Sequence, residues 1–352
     1  RIVDAPGSPR IGEASGQWVF DLAASIFGAY DAESGRRLIK EWFVMLPKKN
    51  FKSGLAASIM LTMLIRNWRK SAEFTILAPT LEVANNSFGP AKDMVQFEEE
   101  DEDGETNSEL ADLIHVQTHI KTLTHRNMNA TLKVIAADAN TAAGKKSVGV
   151  LVEEIWLFGK QAGAKDMLRE ATGGLASRPE GFVVYITTQS DEPPQGVFKE
   201  KLEYARKVRD GEIHDPQFLP ILFEHPPEMV KSGDARKLEN LPMVNPNLGY
   251  SVDREFLERS YRVAEAEGEA SLKGFLAKYG NVEVGLNLRS DRWTGADFWE
   301  KRGDRAVTLE RILEECEVVT IGVDGGGLDD LLGFSVTGRV KGSKHWLQWN
   351  KA

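Results

Sequence analysis

The sequence predicts an α/β fold: a mainly parallel sheet with flanking helices, then a helical linker, then the start of a second domain. Three observations predict it. Short apolar runs of strand length alternate with helical stretches over the first two-thirds of the chain. A tight basic loop separates the first of these strands from a strong helix. Near Asp215 the pattern gives way to a region punctuated by Pro216, Pro220, Pro226, Pro227, Pro242 and Pro246, and new strands appear only after Val318.

The chain has 352 residues, more than one typical domain, with 41% hydrophobic and 28% charged residues, enough to bury a sizeable core. Its single cysteine, Cys316, rules out an intrachain disulfide and reads as a small buried apolar residue. No apolar run approaches the roughly 18 residues of a membrane span, so no membrane partner is expected. A chain opening on Arg1 is expected to lack its native N-terminus. The net charge of −9 argues against a surface coated with nucleic acid but leaves room for a local basic groove. Much of that charge lies in Glu98-Glu99-Glu100-Asp101-Glu102-Asp103-Gly104-Glu105, which reads as a solvated loop.

In chain order, strands are expected at Trp42–Leu46, Phe74–Leu77, Leu132–Ile135, Val148–Val152 and Phe182–Ile186. Helices are expected at Gly54–Arg69, Leu81–Gln96 and Ala164–Leu175, with a long helical stretch over Asp253–Tyr279. The last segment offers strands at Val318–Val323 and Leu332–Arg339, too few to form a core alone, so the second domain reads as cut short. Domain limits are expected at 1–235, 236–312 (linker) and 313–352.

Ligands of such sheets bind beyond the carboxyl ends of the strands, so the residues just after each strand carry the chemistry. After Trp42–Leu46 come Pro47-Lys48-Lys49-Asn50-Phe51-Lys52-Ser53-Gly54 and a helix. A strand, a basic loop, Lys-Ser and a helix N-terminus together can cradle a triphosphate: Lys52 reaches the terminal phosphates and Ser53 holds Mg²⁺. Both glycines of the usual phosphate-loop pattern are replaced, by Leu46 and Phe51. Val148–Val152 ends in Glu153-Glu154, where one carboxylate can complete a magnesium site and the next can polarise an attacking water. Phe182–Ile186 ends in Thr187-Thr188-Gln189-Ser190, hydroxyls and amides suited to sensing a γ-phosphate. Upstream, Gln17 beside Trp18 carries an amide that can pair with a base edge. Arg126 and Arg178 are candidates for a finger into a neighbour, and His115, His119 and His125, the first two four apart on a possible helix, form a weak metal pattern.

The loop Pro47-Lys48-Lys49-Asn50-Phe51-Lys52-Ser53 resembles P-[RK]-K-N-G-K-[ST] of the large terminase subunit, the DNA-packaging motor of tailed double-stranded DNA bacteriophages. In that family the first glycine is absent and a basic residue lies within the loop, so Leu46 is no departure, whereas Phe51 is one. Leu77-Ala78-Pro79-Thr80 resembles the family's DNA-coupling strand end. Ala137-Asp138-Ala139-Asn140-Thr141 with Gly144 resembles the segment before the acidic strand, and Thr187-Thr188-Gln189 the coupling motif. Asn245-Pro246-Asn247-Leu248-Gly249 and Leu286-Asn287 resemble the motor–nuclease link. Gly322-Val323-Asp324-Gly325-Gly326 with Asp329-Asp330-Leu331 resembles the first strand of an RNase H-like nuclease.

The resemblance implies a P-loop ATPase followed by a nuclease that needs Mg²⁺ or Mn²⁺. ATP with Mg²⁺ would lie over Asn50, Phe51, Lys52, Ser53 and Gly54, with Mg²⁺ on Ser53 and Glu153. Glu154 would direct the water, Lys48 or Lys49 would supply transition-state charge, and Thr188 and Gln189 would couple hydrolysis to movement. Asp324 and Asp330 would begin the nuclease metal cluster. The implied partners are double-stranded DNA, the portal protein, the small terminase subunit and further copies in a homo-oligomeric ring. The implied place is the host cytoplasm, docked transiently on the procapsid. Two other readings remain open at this point: a nucleotide-binding assembly module that hydrolyses weakly, and a helicase-like ATPase.

Overall fold

The computed structural model describes residues 1–100, 106–136, 147–285, 302–304, 306–325 and 333–351. Asp330, Asp138, Gly144, Leu286-Asn287 and most of the acidic run therefore lie outside the described residues. The chain divides into two compact units, Arg1–Asp291 and Arg292–Ala352, each described by itself.

The first unit opens with α1 (Gln17–Gly28), β1 (Glu41–Met45), α2 (Lys52–Ile65), β2 (Glu73–Ala78) and α3 (Leu81–Gln96). A two-stranded ribbon, β3 (Glu99–Glu100) with β4 (Thr106–Asn107), leads to α4 (Glu109–Leu113), β5 (Ile114–Gln117), β6 (Thr122–His125) and β7 (Ala130–Ala136). Then come β8 (Ser147–Glu153), α5 (Ile155–Phe158), α6 (Ala164–Gly173), β9 (Phe182–Thr187), α7 (Gly196–Arg209) and β10 (Phe218–Leu222). The last α-helices among the unit's described residues are α8 (Pro227–Ser232), α9 (Arg254–Glu267) and α10 (Glu269–Gly280).

Eight strands form one sheet in the order β10-β1-β9-β8-β2-β7-β6-β5. The pairs from β10 to β7 are parallel, and β6 and β5 add an antiparallel edge. The central strands are buried on both faces, which is why Ser147–Glu153 and Phe182–Thr187 read as near-continuous apolar runs rather than alternating ones. One face is covered by a core that includes Leu22, Ile26, Met60, Leu64 and Phe88 from α1, α2 and α3. The other carries Phe158, Leu168, Phe198 and Leu202 from α5, α6 and α7.

β9 lies between β1 and β8, with Met45 level with Thr187 and Glu153 level with Ile186. Three strand ends that are far apart in the chain therefore finish side by side. This adjacency is what the rest of the molecule uses.

Three local expectations are corrected. The helical stretch over Asp253–Tyr279 is two helices broken at Gly268, whose φ of 109° is open to glycine and strained for other residues. His115 and His119 share no helix: His115 lies on β5 and His119 in the 3₁₀ turn after it, and no metal-ligating cluster occurs among the described residues. β10 runs through Pro220, which a strand tolerates at a sheet edge because one side of its backbone needs no partner.

The second unit holds α11 (Leu309–Glu315), capped by Thr308, and a three-stranded antiparallel sheet of β11 (Cys316–Asp324), β12 (Gly333–Val340) and β13 (Trp346–Lys351). Its core is small, with Ile312, Cys316 and Val336 buried, and Cys316 is a free thiol. Asp324 ends β11 and is exposed. No helix among the described residues is long and apolar enough to cross a membrane.

Candidate functional site

The loop after β1 takes its shape from two residues in left-handed backbone, Lys49 (φ 72°) and Phe51 (φ 60°). A non-glycine residue there costs about 1–2 kcal/mol. Phe51 is thus a side chain placed where the backbone favours glycine, and it immediately precedes the first residue of α2. Its ring lies over Gly54, where an added Cβ would fall 2.1 Å from a ring carbon, so the bulk missing from Gly54 accommodates the bulk added at Phe51.

This pairing makes a stability prediction. Gly54→Ala is expected to cost about 1–2 kcal/mol by forcing the ring aside. In a Phe51→Gly background the same change is expected to stabilise by up to about 1 kcal/mol, as alanine does in helices. Denaturant unfolding of the four proteins reads the difference directly. Additive effects would mean that ring and glycine do not oppose each other.

Asn50 is fully buried and fixes the loop from below. Its Nδ2 donates to Asn245 Oδ1 at 2.8 Å, and its Oδ1 accepts from the Asn247 backbone N–H at 3.1 Å. Ser251 Oγ donates to the Lys49 carbonyl at 2.7 Å, and the Lys48 N–H donates to the Lys278 carbonyl at 2.6 Å. The loop is therefore held by residues some two hundred positions later in the chain. Neither Asn245 nor Asn247 could be matched to Asn50 from sequence.

A cavity of about 610 Å³ opens over the loop, lined by Lys48, Lys49, Phe51, Lys52 and Ser53 and, from β8's end, by Glu154. Asn86 and Gly89 of α3 form another wall, and Ile2, Val3 and Asp4 a third. Lys48 and Lys49 are exposed. Lys52 is largely buried: its Nζ donates to the Pro47 carbonyl at 3.2 Å and lies 3.9 Å from Glu154 Oε1. Burial pulls its pKa down, while Glu154 and then Glu153 oppose that shift. A buried ammonium with one long ion pair is a good receiver for an anion.

Glu153 ends β8 almost completely buried. Burial pushes its pKa up to about 7; hydrogen bonds from Ser87 and Ser53 oppose that, and the neighbouring Glu154 adds to it. Ser87, on α3, was not suggested by any motif. Glu154 has left-handed backbone (φ 49°), which turns its side chain out of the strand direction at the head of α5. Its Oε2 accepts from Trp156 Nε1 at 2.7 Å, Thr188 Oγ1 at 3.1 Å and the Thr188 N–H at 3.3 Å.

The sequence-derived residues thus fall into groups. Lys52, Ser53, Glu153, Glu154 and Thr188 come together at the ends of β1, β8 and β9. Gln189 is buried beside them: its N–H donates to Asn281 Oδ1 at 3.1 Å, and its amide nitrogen has no acceptor among the described residues. Gln17 is exposed at the start of α1, its amide donating to Asp21 at 2.9 Å, and it does not line the cavity. Arg126 is exposed beyond β6, and Arg178 is half-buried before β9. Asp324 belongs to the second unit.

No protein-family profile matches the sequence, and no curated protein matches it. Solved structures do. The chain has the fold of the large terminase of bacteriophage HK97, at a TM-score of 0.63 and 18% identity, over 99% of this chain and 65% of that one. The chain thus spans just under two-thirds of the HK97 protein's structure. Looser likenesses are to the large terminase of a thermophilic bacteriophage in complex with ADP (TM-score 0.46, 12% identity, 94% of this chain and 67% of that one) and to the large terminase ATPase domain of Thermus phage P74-26 (0.44, 15%, 75% and 98%).

Proposed function

We propose that this protein is the large subunit of a viral DNA-packaging motor, hydrolysing ATP to drive double-stranded DNA into a procapsid. The observation that carries the ATPase reading is the convergence of Lys52, Ser53, Glu153, Glu154 and Thr188 at three adjacent ends of a parallel sheet. The packaging reading rests on the motif resemblance together with the shared HK97 fold.

In this reading Lys52 binds the β- and γ-phosphates, and Lys48 or Lys49 adds positive charge as negative charge develops on the transferring group. Ser53 and Glu153 would hold Mg²⁺. Their chemistry fits it: a hydroxyl and a buried carboxylate, while the nearby Lys52 lies within ion-pair distance of Glu154. The ion would supply charge neutralisation across the phosphate oxygens. Glu154 accepts a proton from, and orients, the attacking water. Thr188 touches that same carboxylate, so a change at Glu154 reaches β9 and Gln189 directly.

Residues 1–235 would form the motor, 236–312 the link and 313–352 the start of an RNase H-like nuclease, with Asp324 as a metal ligand using Mg²⁺ or Mn²⁺. DNA, the portal protein, the small terminase subunit and further copies in a ring would be the partners, met in the host cytoplasm. In a protein that contains these residues and cuts DNA, Asp324→Ala is expected to stop the cutting and spare ATP turnover.

A second reading, a nucleotide-binding module with weak hydrolysis, is favoured by Phe51 at the glycine position and by glutamate rather than aspartate at Glu153. One experiment separates the two. ATP turnover per chain is measured for the isolated protein across a concentration range and again on portal-bearing procapsids. A motor whose site is completed by a neighbour's arginine is expected to be slow alone and at least about tenfold faster when assembled. Turnover that stays negligible on the assembly favours the module. Full-speed, concentration-independent turnover by a monomer contradicts a shared site.

A further inference from the structure

Lys278 lies in the last turn of α10, outside every motif that suggested the site. Its Nζ lies 3.4 Å from the centroid of the Trp156 ring, the indole whose N–H donates to Glu154 Oε2 at 2.7 Å. The same ammonium lies 3.4 Å from Asp191 Oδ2 and donates to the Gln189 carbonyl at 3.4 Å. Its backbone carbonyl accepts the Lys48 N–H of the loop. Lys160 is 5.1 Å from the same ring and also pairs with Asp191, so two cations share one indole and one carboxylate.

Resting on the ATPase reading above, we propose that Lys278 is a positioning residue for Glu154, acting through Trp156. An ammonium over an indole face is attracted by the ring's negative face and fixes the plane of the ring. Fixing the plane fixes the direction of the N–H, and the cation draws electron density from the ring, which strengthens that donor. With Trp156 and Thr188 both donating to Oε2, rotation of the Glu154 carboxylate is arrested. Oε1 is left towards Lys52, where a water beside the γ-phosphate would lie. A lysine serving only to pack could be replaced by any chain of its length. A lysine serving to aim the indole cannot, because the effect depends on its charge.

The test uses steady-state turnover, affinity for a non-hydrolysable ATP analogue and thermal unfolding of wild type, Lys278→Met, Lys278→Arg, Trp156→Phe and the Lys278→Met/Trp156→Phe double variant. Lys278→Met is expected to lower kcat by about three- to tenfold with KM and analogue affinity within about twofold, as for loss of one partly exposed cation–π contact. Lys278→Arg, which keeps a cation over the ring, is expected to restore most of kcat. Trp156→Phe keeps a ring but loses the N–H; it is expected to lower kcat by at least as much, and Lys278→Met is expected to add little on top of it.

A folded Lys278→Met protein with wild-type kcat overturns the proposal. So does a loss that appears in KM alone, or one that multiplies fully with that of Trp156→Phe. If Lys278→Met does not fold, Lys278→Arg and Trp156→Phe decide: wild-type kcat in Trp156→Phe refutes the relay. A wild-type protein that binds no nucleotide overturns the ATPase reading itself, and the relay with it, whereas normal wild-type turnover unaffected by Lys278 removes the relay alone.

Discussion

Glu154→Gln is expected to reduce ATP turnover by about a hundredfold to ten-thousandfold, the range for loss of a positioned general base, while nucleotide affinity stays near wild type. The reason is local. The carboxylate is held at Oε2 by Trp156 and Thr188, and its Oε1 lies 3.9 Å from Lys52. Glutamine has nearly the same shape, so the loop, the cavity and Lys52 are left in place. What it lacks is the negative charge that draws a proton from water. The measurement pairs steady-state hydrolysis with equilibrium binding on the same preparation. Near-normal turnover in Glu154→Gln would remove this residue from the chemistry, and a parallel loss of binding would make its role structural.

The second large effect concerns affinity. Lys52→Ala is expected to weaken ATP binding by about 100-fold, equivalent to about 2.7 kcal/mol. Lys52 is a buried ammonium whose nearest groups are the Pro47 carbonyl and Glu154. Removing it deletes the cation that meets the phosphates and also leaves Glu154 without its ion-pair partner beside them, so the loss includes repulsion as well as lost attraction. Lys52→Arg keeps the charge on a broader, planar group and is expected to fall between the two. Calorimetric or fluorescence titration of the three proteins gives the ranking, and equal affinities would place the phosphates elsewhere.

Much of the site could be read in the sequence because its chemistry is written at strand ends. Lys52-Ser53, Glu153-Glu154 and Thr187-Thr188 each follow an apolar run, and a parallel sheet brings such ends to one edge. The strand order itself was not legible. That β9 inserts between β1 and β8, making the three ends neighbours, is a tertiary fact that no local spacing encodes.

The supporting residues were hidden for a related reason. Asn245, Asn247, Lys278 and Asn281 meet the loop and β9 only through tertiary folding, across separations that no local spacing encodes. Trp156 stands two residues from Glu154, yet an indole N–H carries no motif, and Ser87 is an ordinary hydroxyl until α3 lies against β8's end. The antiparallel β5–β6 edge was missed because His115 on β5 and His119 in the turn after it fall at helical spacing, and β10 because Pro220 interrupts its run. Phe51 was the misleading residue. It breaks the loop's expected pattern, but the backbone there keeps its glycine-like conformation, with the ring accommodated over Gly54.

The most direct test of the central claim, that this cavity is a nucleoside triphosphate site, is equilibrium binding of a non-hydrolysable ATP analogue to the unmodified chain, with Mg²⁺ and after its removal by chelation. Saturable binding at one site per chain is predicted, displaced by ADP and weakened when Mg²⁺ is removed, because Ser53 and the buried Glu153 would then lose the ion they are proposed to share with the phosphates. A folded protein that shows no saturable binding, or binding indifferent to Mg²⁺, would contradict the account.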